Sequence, residues 1–157
     1  NRLCDGKRIS YLMLCLDKDI VGPYIARHCN MVWTPENSNA IGWLKDGQVC
    51  AGVWYEDYNK VSVMCHIAIT GKMTPEYLNI IFDYPFVQLG VNKIVVPVLS
   101  GNEASIKFVK NLGFEENARL LDVSPDGDMI FFVMTKDKCR FIGERYGKRR
   151  RRCTTTT

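Results

Sequence analysis

The stretch VLSGNEASIKFVKNLGF (residues 98–114) decides the fold of this chain, because it runs from an apolar strand through a polar turn into an amphipathic helix. Apolar residues recur every three to four positions in its second half, and the helix ends at a Gly-Phe pair. Ser100 and Glu103 have the spacing of a capping box. Asn102 and Ser105 are not explained by these helix signals, so they are candidates for contacts with a ligand.

A second helix and a strand precede this stretch. TPEYLNIIFDYPFVQLG (residues 74–90) begins with Thr74 as an N-cap followed by a proline, and Gly90 lies just past its end. Pro85 cannot donate a backbone hydrogen bond, so we expect a kink there. NKIVVPVLS (residues 92–100) is almost entirely apolar, as in a strand covered on both faces. A strand, a helix and a second strand of this kind predict a parallel, right-handed βαβ crossover.

Pro97 lies inside the second strand of this crossover. A proline removes a donor from the strand ladder, which predicts that one edge of the strand is unpaired nearby. Two parallel strands that part at their carboxyl ends would satisfy this, and the gap would expose backbone groups of residues 65–70 to an extended ligand. A local bulge at Pro97 is the alternative.

The first half of the chain predicts a helix followed by an antiparallel meander. The helix is expected from Asp17 to Cys29, with Pro23 early enough to be tolerated or to shift its start. Asp46-Gly47 between two apolar runs is a strong signal for a tight hairpin. KVSVMCHIAI (residues 60–69) alternates apolar side chains on one face, as a third strand does.

The last part of the chain predicts a closing hairpin and a tail. Residues 118–123 and 128–135 flank the turn SPDG and are expected to pair. Residues 136–147 are interpreted as a terminal helix. Residues 148–157 form a basic, low-complexity tail, and residues 1–147 form one domain.

Composition restricts the class of protein. The net charge is +4, but Lys148–Arg152 supplies five positive charges, so the remaining chain is nearly neutral and any attraction to nucleic acid lies in the tail. No run of about 18 apolar residues predicts a membrane span, and no secretory signal precedes the domain. Seven cysteines without a CxxC pair are typical of free thiols in a reducing cytoplasm. The pairs His28-Cys29 and Cys65-His66 lack a second ligand pair at zinc spacing, so no metal site is predicted.

The order of these elements, together with Asn102, Ser105 and Leu112-Gly113-Phe114, resembles the GCN5-related N-acetyltransferase (GNAT) superfamily. The branch that modifies the N-termini of ribosomal proteins is the most similar, and the wording from DYPF (residues 83–86) onward resembles acetyltransferase-like proteins of bacteriophages. The resemblance covers residues 40–135. It implies an α/β (α+β) fold, with a mixed, mostly antiparallel sheet whose central parallel strand pair is splayed and flanked by helices.

The resemblance also implies a binding site for acetyl-CoA between the strands that contain residues 65–70 and 94–99. Asn102 would contact the pantetheine arm, and Ser105 or a nearby tyrosine would protonate the departing thiolate. Backbone groups of the first strand would bind pantetheine, and amides at the start of the next helix would bind the pyrophosphate; these residues are Ile67, Ala68 and Ile69, and Gly71, Lys72, Met73 and Thr74.

One segment departs from the family pattern. The family signature has a glutamine or arginine, two residues, a glycine, one residue, and a glycine or alanine, whereas ITGKMTPEY (residues 69–77) has one glycine and no such spacing. Lys72 could supply a compensating charge and Thr74 a hydroxyl, but Pro75 removes an amide. A protein that keeps the fold but has altered or lost activity is therefore an alternative.

Direct transfer of an acetyl group to an amine requires a base, and carboxylates or histidine suit that role. Glu56 and Asp57 lie at a turn between the meander strands, and His66 lies on the strand that lines the gap; Tyr84 is a candidate acid. The alternatives are a solvated turn for Glu56, an ordinary hydrogen-bonded histidine for His66 and a core position for Tyr84.

Two functions follow. The first is an N-acetyltransferase that uses acetyl-CoA to modify a primary amine of a protein or small molecule, encoded by a phage and acting in the host cytoplasm. The second is a non-catalytic phage protein of the same fold, in the virion or bound to a host partner, whose residues Lys148–Arg152 contact nucleic acid or an acidic surface. Neither requires a membrane or a metal.

Overall fold

The computed structural model describes residues 11–143 and 146. Within these residues, seven strands form one sheet in the order β1-β2-β3-β4-β5-β7-β6, in which β4 and β5 are parallel and the other neighbours are antiparallel. The elements are, in chain order, β1 (Leu12–Cys15), α1 (Lys18–His28), β2 (Asn39–Lys45), β3 (Gln48–Glu56), β4 (Ser62–Ile69), α2 (Pro75–Asp83), β5 (Lys93–Leu99), α3 (Glu103–Leu112), β6 (Glu115–Ser124) and β7 (Gly127–Thr135).

Helix α1 confirms the first predicted helix. Asp17 is its N-cap, and the Asp17 side chain accepts a hydrogen bond from the Asp19 amide. Pro23 lies inside the helix without shifting its start. The helix approaches the sheet closely because Gly42 and Gly52 lie beneath it, where an added Cβ would meet side chains of α1 at 2.5 and 2.9 Å.

The antiparallel meander is confirmed, with one strand more than predicted. Asp46 and Gly47 both have positive φ values, 51° and 82°, as a type I′ hairpin requires. Strand β1, which the sequence analysis did not predict, pairs with β2 from Leu12–Lys45 to Cys15–Gly42. Leu12 and Met13 of β1 are exposed, so this strand lacks the alternation that marks a half-buried strand.

Helix α2 begins and ends with the predicted signals. The Thr74 hydroxyl accepts a hydrogen bond from the Tyr77 amide at 3.1 Å, and Gly90, with φ of 71°, follows the helical segment. The disruption expected at Pro85 is a π-helical turn over Tyr84–Gln88, in which the Leu89 amide bonds the Tyr84 carbonyl. Proline cannot donate, and the wider turn accommodates the missing hydrogen bond.

The parallel strands β4 and β5 part as predicted. They pair from Ser62–Lys93 to Met64–Val95, and both strands continue beyond that point. Pro97 stands in regular register with Phe131 of β7, so a local bulge is not the explanation. The Ser100 amide donates to the Asp128 carbonyl of β7, so the backbone groups of even-numbered residues of β5 face β7 and those of odd-numbered residues face β4. Pro97 is odd-numbered and lies where β4 has parted from β5, so no hydrogen bond is lost by its missing donor.

The predicted capping box at the start of α3 is wrong. The N-cap is Asn102, whose Oδ1 accepts a hydrogen bond from the Ser105 amide at 3.1 Å. Ser100 instead accepts a hydrogen bond from the Asp128 amide at 2.9 Å and joins the end of β5 to the start of β7. The C-terminal signal is confirmed, because Gly113 is left-handed, with φ of 107°, and Phe114 is buried.

The closing hairpin is confirmed. The predicted terminal helix is absent over residues 139–143, whereas Tyr146 is helical and residues 144, 145 and 147 lie outside the described residues. A single 3-10 turn, Lys136–Lys138, follows β7. Beyond it, the Arg140 guanidinium donates to the carbonyls of Asn111 and Leu112, and Phe141 stacks on Phe82 at 4.8 Å. These contacts hold the segment against α2 and α3. The predicted tail, residues 148–157, lies outside the described residues.

The sheet separates two apolar cores. The smaller core lies under α1 and includes Trp54 and Ala68, whereas the larger one lies under α2 and α3 and includes Tyr55, Cys65 and Phe132. In the part of the chain that the structure describes, no helix is long and apolar enough to cross a membrane.

Candidate functional site

The gap between β4 and β5 opens at the carboxyl ends of both strands. The Thr70 amide donates to the Cys50 carbonyl of β3. The backbone groups of even-numbered residues of β4 therefore bond β3, and those of odd-numbered residues point into the gap. The backbone groups of Ile67 and Ile69 therefore face the gap as expected, whereas those of Ala68 face β3. The Cys29 thiol donates to the Ile67 carbonyl at 3.9 Å.

The segment from Gly71 to Thr74 connects the open end of the gap to the N-terminus of α2. The Thr74 hydroxyl accepts a hydrogen bond from the Tyr77 amide, and Pro75 has no N–H group. The first turn of α2 therefore lacks two backbone donors that could bind an anion. Glu76 adds a negative charge in the same turn. A Cβ at Gly71 would meet no atom within 4 Å, so this glycine is not required by packing.

Asn102 and Ser105 lie at the start of α3, directly after the carboxyl end of β5. Asn102 is exposed and Ser105 is half-buried. Capping by Asn102 Oδ1 explains the position of this residue without a ligand and leaves its amide nitrogen as the group that could donate to one.

Glu56 and His66, which the sequence offered as alternative bases, are hydrogen-bonded to each other. The distance between Glu56 Oε1 and His66 Nε2 is 2.6 Å. Trp54 pairs with His66 across the two strands, and its ring lies 5.1 Å from the imidazole. His66 is 6% exposed, and its position on β4 is two residues beyond the last pair with β5, Met64–Val95. The pair therefore lies beside the closed end of the gap.

The cysteines near this pair are poor nucleophiles. Burial raises the pKa of the Cys65 thiol well above its usual value, and the nearby charge of Glu56 raises it further. Burial also raises the pKa of Cys29. Because the thiolate is the reactive form, neither residue is suited to carry an acyl group at neutral pH.

A cavity of about 590 Å³ lies where β3 ends and β4 begins. Glu56 is part of its wall, so the Glu56–His66 pair connects this cavity to the strand that borders the gap. Asp57, the other turn carboxylate, lines it as well. The lining residues come from the loop before β2, the β3–β4 turn and the π-helical turn; they are Thr34, Glu36, Asn37, Ser38, Asn39, Tyr55, Glu56, Asp57, Tyr58, Val63, Tyr84 and Leu89.

Tyr84 lines this cavity and also contributes to the core. Its ring packs edge-on against Tyr55 at 4.9 Å, and the Tyr55 hydroxyl donates to the Ile81 carbonyl at 2.6 Å. Burial raises the pKa of Tyr55 well above its usual value, so this hydroxyl stays protonated. Of the predicted catalytic residues, the structure brings Glu56, His66 and Tyr84 to this region, and it places Ser105 on α3.

The loop before β2 also contributes to this region, which no sequence motif predicted. Ser38 in this loop accepts a hydrogen bond from the buried Trp54 indole at 3.0 Å. Lys18 of α1 donates to the carbonyls of Pro35 and Ser38 at 2.8 and 3.2 Å. The polar run PENSN was the available signal, but its partners lie on α1 and β3. Within residues 11–143 and 146, no group of three His, Cys, Asp or Glu side chains is placed to hold a metal.

Comparison with known proteins agrees with this architecture. No protein-family model matches the sequence, and no curated protein matches it. A mutant form of the spermidine/spermine N-acetyltransferase SpeG from Vibrio cholerae superposes with a TM-score of 0.65 at 15% identity, covering 88% of this chain and 99% of that chain. The same enzyme in complex with manganese ions gives 0.61 at 16% identity, covering 82% and 94%. A probable acetyltransferase gives 0.55 at 19% identity, covering 64% and 62%. The chain therefore has the GNAT fold that the sequence resemblance implied.

Proposed function

We propose that this chain is an N-acetyltransferase that transfers an acetyl group from acetyl-CoA to a primary amine. The observation that carries the proposal is the parting of β4 and β5 after Met64–Val95, which turns the backbone of Ile67 and Ile69 toward an open gap. An extended chain with amide groups, such as pantetheine, can pair with such a strand edge as an added strand does.

The residues around the gap differ in how many groups they offer to the rest of acetyl-CoA. Amides from Gly71 to Thr74 precede the N-terminus of α2, where backbone donors and the helix dipole favour an anion. Pro75 and the capped Tyr77 amide reduce the number of donors, so we expect weaker pyrophosphate binding than a glycine-rich loop gives. Lys72 supplies a positive charge, and the Asn102 side-chain amide supplies a donor from the β5 side.

Acetyl-CoA supplies an acetyl group activated as a thioester. The acceptor enters as an ammonium ion, and the Glu56–His66 pair is our candidate to take the first of the two protons that its nitrogen must lose, which frees the nitrogen lone pair to bond the carbonyl carbon. The carbon–sulfur bond then breaks, and the thiolate takes a proton from a hydroxyl, for which Ser105 and Tyr84 are the candidates. That hydroxyl regains a proton from the second one that the nitrogen loses. The products are the N-acetylated amine and the free thiol, so no covalent enzyme intermediate is required.

A small-molecule amine is the acceptor class that we propose, since the structural neighbours include a spermidine/spermine N-acetyltransferase. An amine of a protein is the other class that the sequence resemblance implied. The proposal includes a bacteriophage origin and action in the host cytoplasm, because the sequence from residue 83 onward resembles bacteriophage proteins of this kind.

Isothermal titration calorimetry with acetyl-CoA tests the proposal directly. We expect saturable binding that Asn102→Ala weakens severalfold. The matched variant is Asn102→Ser, which keeps an N-cap oxygen for α3 and lacks the amide donor. If the amide contacts acetyl-CoA, both variants lose affinity; if only Asn102→Ala does, the residue acts through the helix cap. Absence of binding at millimolar acetyl-CoA contradicts the enzyme function.

A non-catalytic protein with the same fold is the second candidate. The first turn of α2 favours it, because Thr74 and Pro75 remove two anion-binding groups and Glu76 adds a negative charge. This candidate predicts no heat of acetyl-CoA binding in the same titration.

A further inference from the structure

We propose that the cavity at the end of β3 and β4 is the acceptor site, and that it selects a compact amine with two or more positive charges. This inference rests on the proposed acetyltransferase function and assigns to it a site and a class of acceptor. The cavity volume of about 590 Å³ is within the usual range for small-molecule sites.

Among the described residues, the charged side chains of the cavity lining are all acidic. Glu36, Glu56 and Asp57 contribute carboxylates, and no lysine or arginine of residues 11–143 is part of the lining. The nearby cation Lys18 is held behind the loop by the carbonyls of Pro35 and Ser38. Carboxylates that converge on one cavity attract cations and disfavour anions, which gives selectivity more than affinity.

Aromatic rings form another part of the wall. Tyr55, Tyr58 and Tyr84 all line the cavity, and Tyr55 and Tyr84 are fixed against each other edge-on. Aromatic faces attract ammonium groups through their quadrupole, and the methylene chain of an amine packs on the same rings. Carboxylates and tyrosines in one cavity thus match a short aliphatic chain that carries ammonium groups.

Glu56 links this cavity to the proposed reaction. One of its oxygens accepts the hydrogen bond from His66, a side chain more than nine-tenths buried beside the closed end of the gap. An ammonium group at Glu56 loses one proton to the Glu56–His66 pair, and its nitrogen then bonds the acetyl carbon. The carbon–sulfur bond breaks, and the second proton that the nitrogen loses protonates the departing thiolate of CoA. Glu36 and Asp57, both exposed, remain to bind further positive groups of the same amine.

The first experiment compares three aliphatic amines of different charge, with acetyl-CoA at a fixed, saturating concentration. Spermidine carries three positive charges, hexylamine one, and 6-aminohexanoate has no net charge. We expect kcat/KM to fall about tenfold at each step, mainly through KM, since a tenfold change is a modest electrostatic difference. Equal kcat/KM for the three amines, or a preference for 6-aminohexanoate, overturns the inference.

The second experiment neutralises the carboxylates that do not contact His66. Glu36→Gln and Asp57→Asn, combined, should raise KM for spermidine at least tenfold and leave KM for hexylamine within twofold. Asn tolerates the positive φ of 55° at position 57, so the change should not strain the turn. Glu115→Gln removes a carboxylate from exposed β6, three strands from β3, and is the matched control. An unchanged spermidine KM in the double variant overturns the inference.

The two proposals fail separately. If acetyl-CoA binds and is turned over but kcat/KM does not depend on the charge of the amine, the acetyltransferase function stands and the assignment of the cavity as the acceptor site is wrong. If acetyl-CoA does not bind, calorimetry of spermidine with the free protein still tests the ligand class of the cavity. Binding that weakens with salt and is lost in the double variant supports it, and absence of binding contradicts it.

Discussion

At the scale of single residues, chemistry depends on pairs that are distant in sequence. Glu56 and His66 are ten residues apart, and the alternation of strands places both on the face of the sheet that α1 covers. Their side chains meet diagonally across β3 and β4, with Trp54 beside the imidazole. Each residue alone has an ordinary alternative role, and the hydrogen bond between them makes the pair a candidate base.

Glu56→Gln should lower kcat for acetyl transfer by about 10²–10⁴-fold, as loss of a general base does. The substitution keeps the size of the side chain, and acetyl-CoA affinity should be unchanged, because Glu56 lies outside the open end of the gap. Release of free CoA thiol measures kcat, and calorimetry measures the affinity. An unchanged kcat at saturating amine would remove Glu56 from the proton transfer.

At the scale of elements, close approach of helix and sheet determines where the loop before β2 lies. Trp33 packs against Gly22 of α1 on one side and edge-on against Trp54 on the other, at 5.0 Å. Trp54 in turn holds Ser38. A glycine in a helix, unfavourable by propensity, thus sets the position of one wall of the cavity.

Gly22→Ala should destabilise the protein by about 1–3 kcal/mol through overpacking. An added Cβ at position 22 would lie 2.4 Å from the Trp33 ring. Helix propensity alone predicts the opposite sign, since Ala is favoured over Gly by about 1 kcal/mol in a helix interior. Urea denaturation measures the change, and Gly71→Ala, where a Cβ meets nothing within 4 Å, is the control. A more stable Gly22→Ala would contradict the tight contact.

The β6–β7 hairpin contains a carboxylate whose ionisation stabilises the folded state. The Asp122 amide donates to Asp128, and this bond, followed by Arg119, lowers the pKa of Asp128 below its ordinary value of 3.8. A group with a lowered pKa stabilises the folded state above its ordinary pKa, and this contribution is lost as the pH falls through the folded value.

Asp128→Asn should therefore lower the melting temperature at pH 7, and the difference from the wild type should shrink below pH 3.8. Thermal unfolding at a series of pH values measures both effects. Asp126→Asn makes the same change of charge in the same hairpin and is the control. A difference that stays constant from pH 7 to pH 3 would show that the carboxylate charge is not responsible.

At the scale of the whole molecule, the sheet order brings the proposed functions together. The gap lies in the centre of the sheet, between β4 and β5, and the cavity lies at the opposite end of β4. One strand therefore carries the surface proposed for acetyl-CoA, the residue His66 and the border of the proposed acceptor site. The basic residues Lys148–Arg152 are outside the described structure and are not needed for this arrangement.

Truncation after Gly147 should leave acetyl-CoA affinity and melting temperature unchanged and should weaken binding to a DNA duplex. Each phosphate that a cation neutralises adds about 0.9 to the slope of log affinity against log salt, so five cations predict a steep dependence that truncation removes. Fluorescence anisotropy at several salt concentrations measures it. Equal DNA binding by the truncated chain would exclude the tail as the contact.

Much of the fold could be predicted from the chain because its signals are local. Asp46-Gly47, Thr74, Gly90 and Gly113 mark turns and helix ends through their own backbone preferences, and each is confirmed. Strand β1 was missed because exposed side chains on an edge strand give no alternation. The terminal helix was predicted wrongly over residues 139–143, where Arg140 and Phe141 contact distant helices instead.

The candidate site also has a part that the sequence predicts and a part that only the tertiary structure decides. The sequence by itself determined most of the helices and strands, the gap implied by Pro97 and the individual polar residues, since a missing donor and a helix end are properties of one segment. Only the tertiary structure decided that Asn102 rather than Ser100 caps α3, because Ser100 is taken by the Asp128 amide. Tertiary structure also decided that Glu56 and His66 form one pair and that three separate segments enclose one acidic cavity. Hydrogen bonds across strands depend on register, which no single segment of the sequence contains.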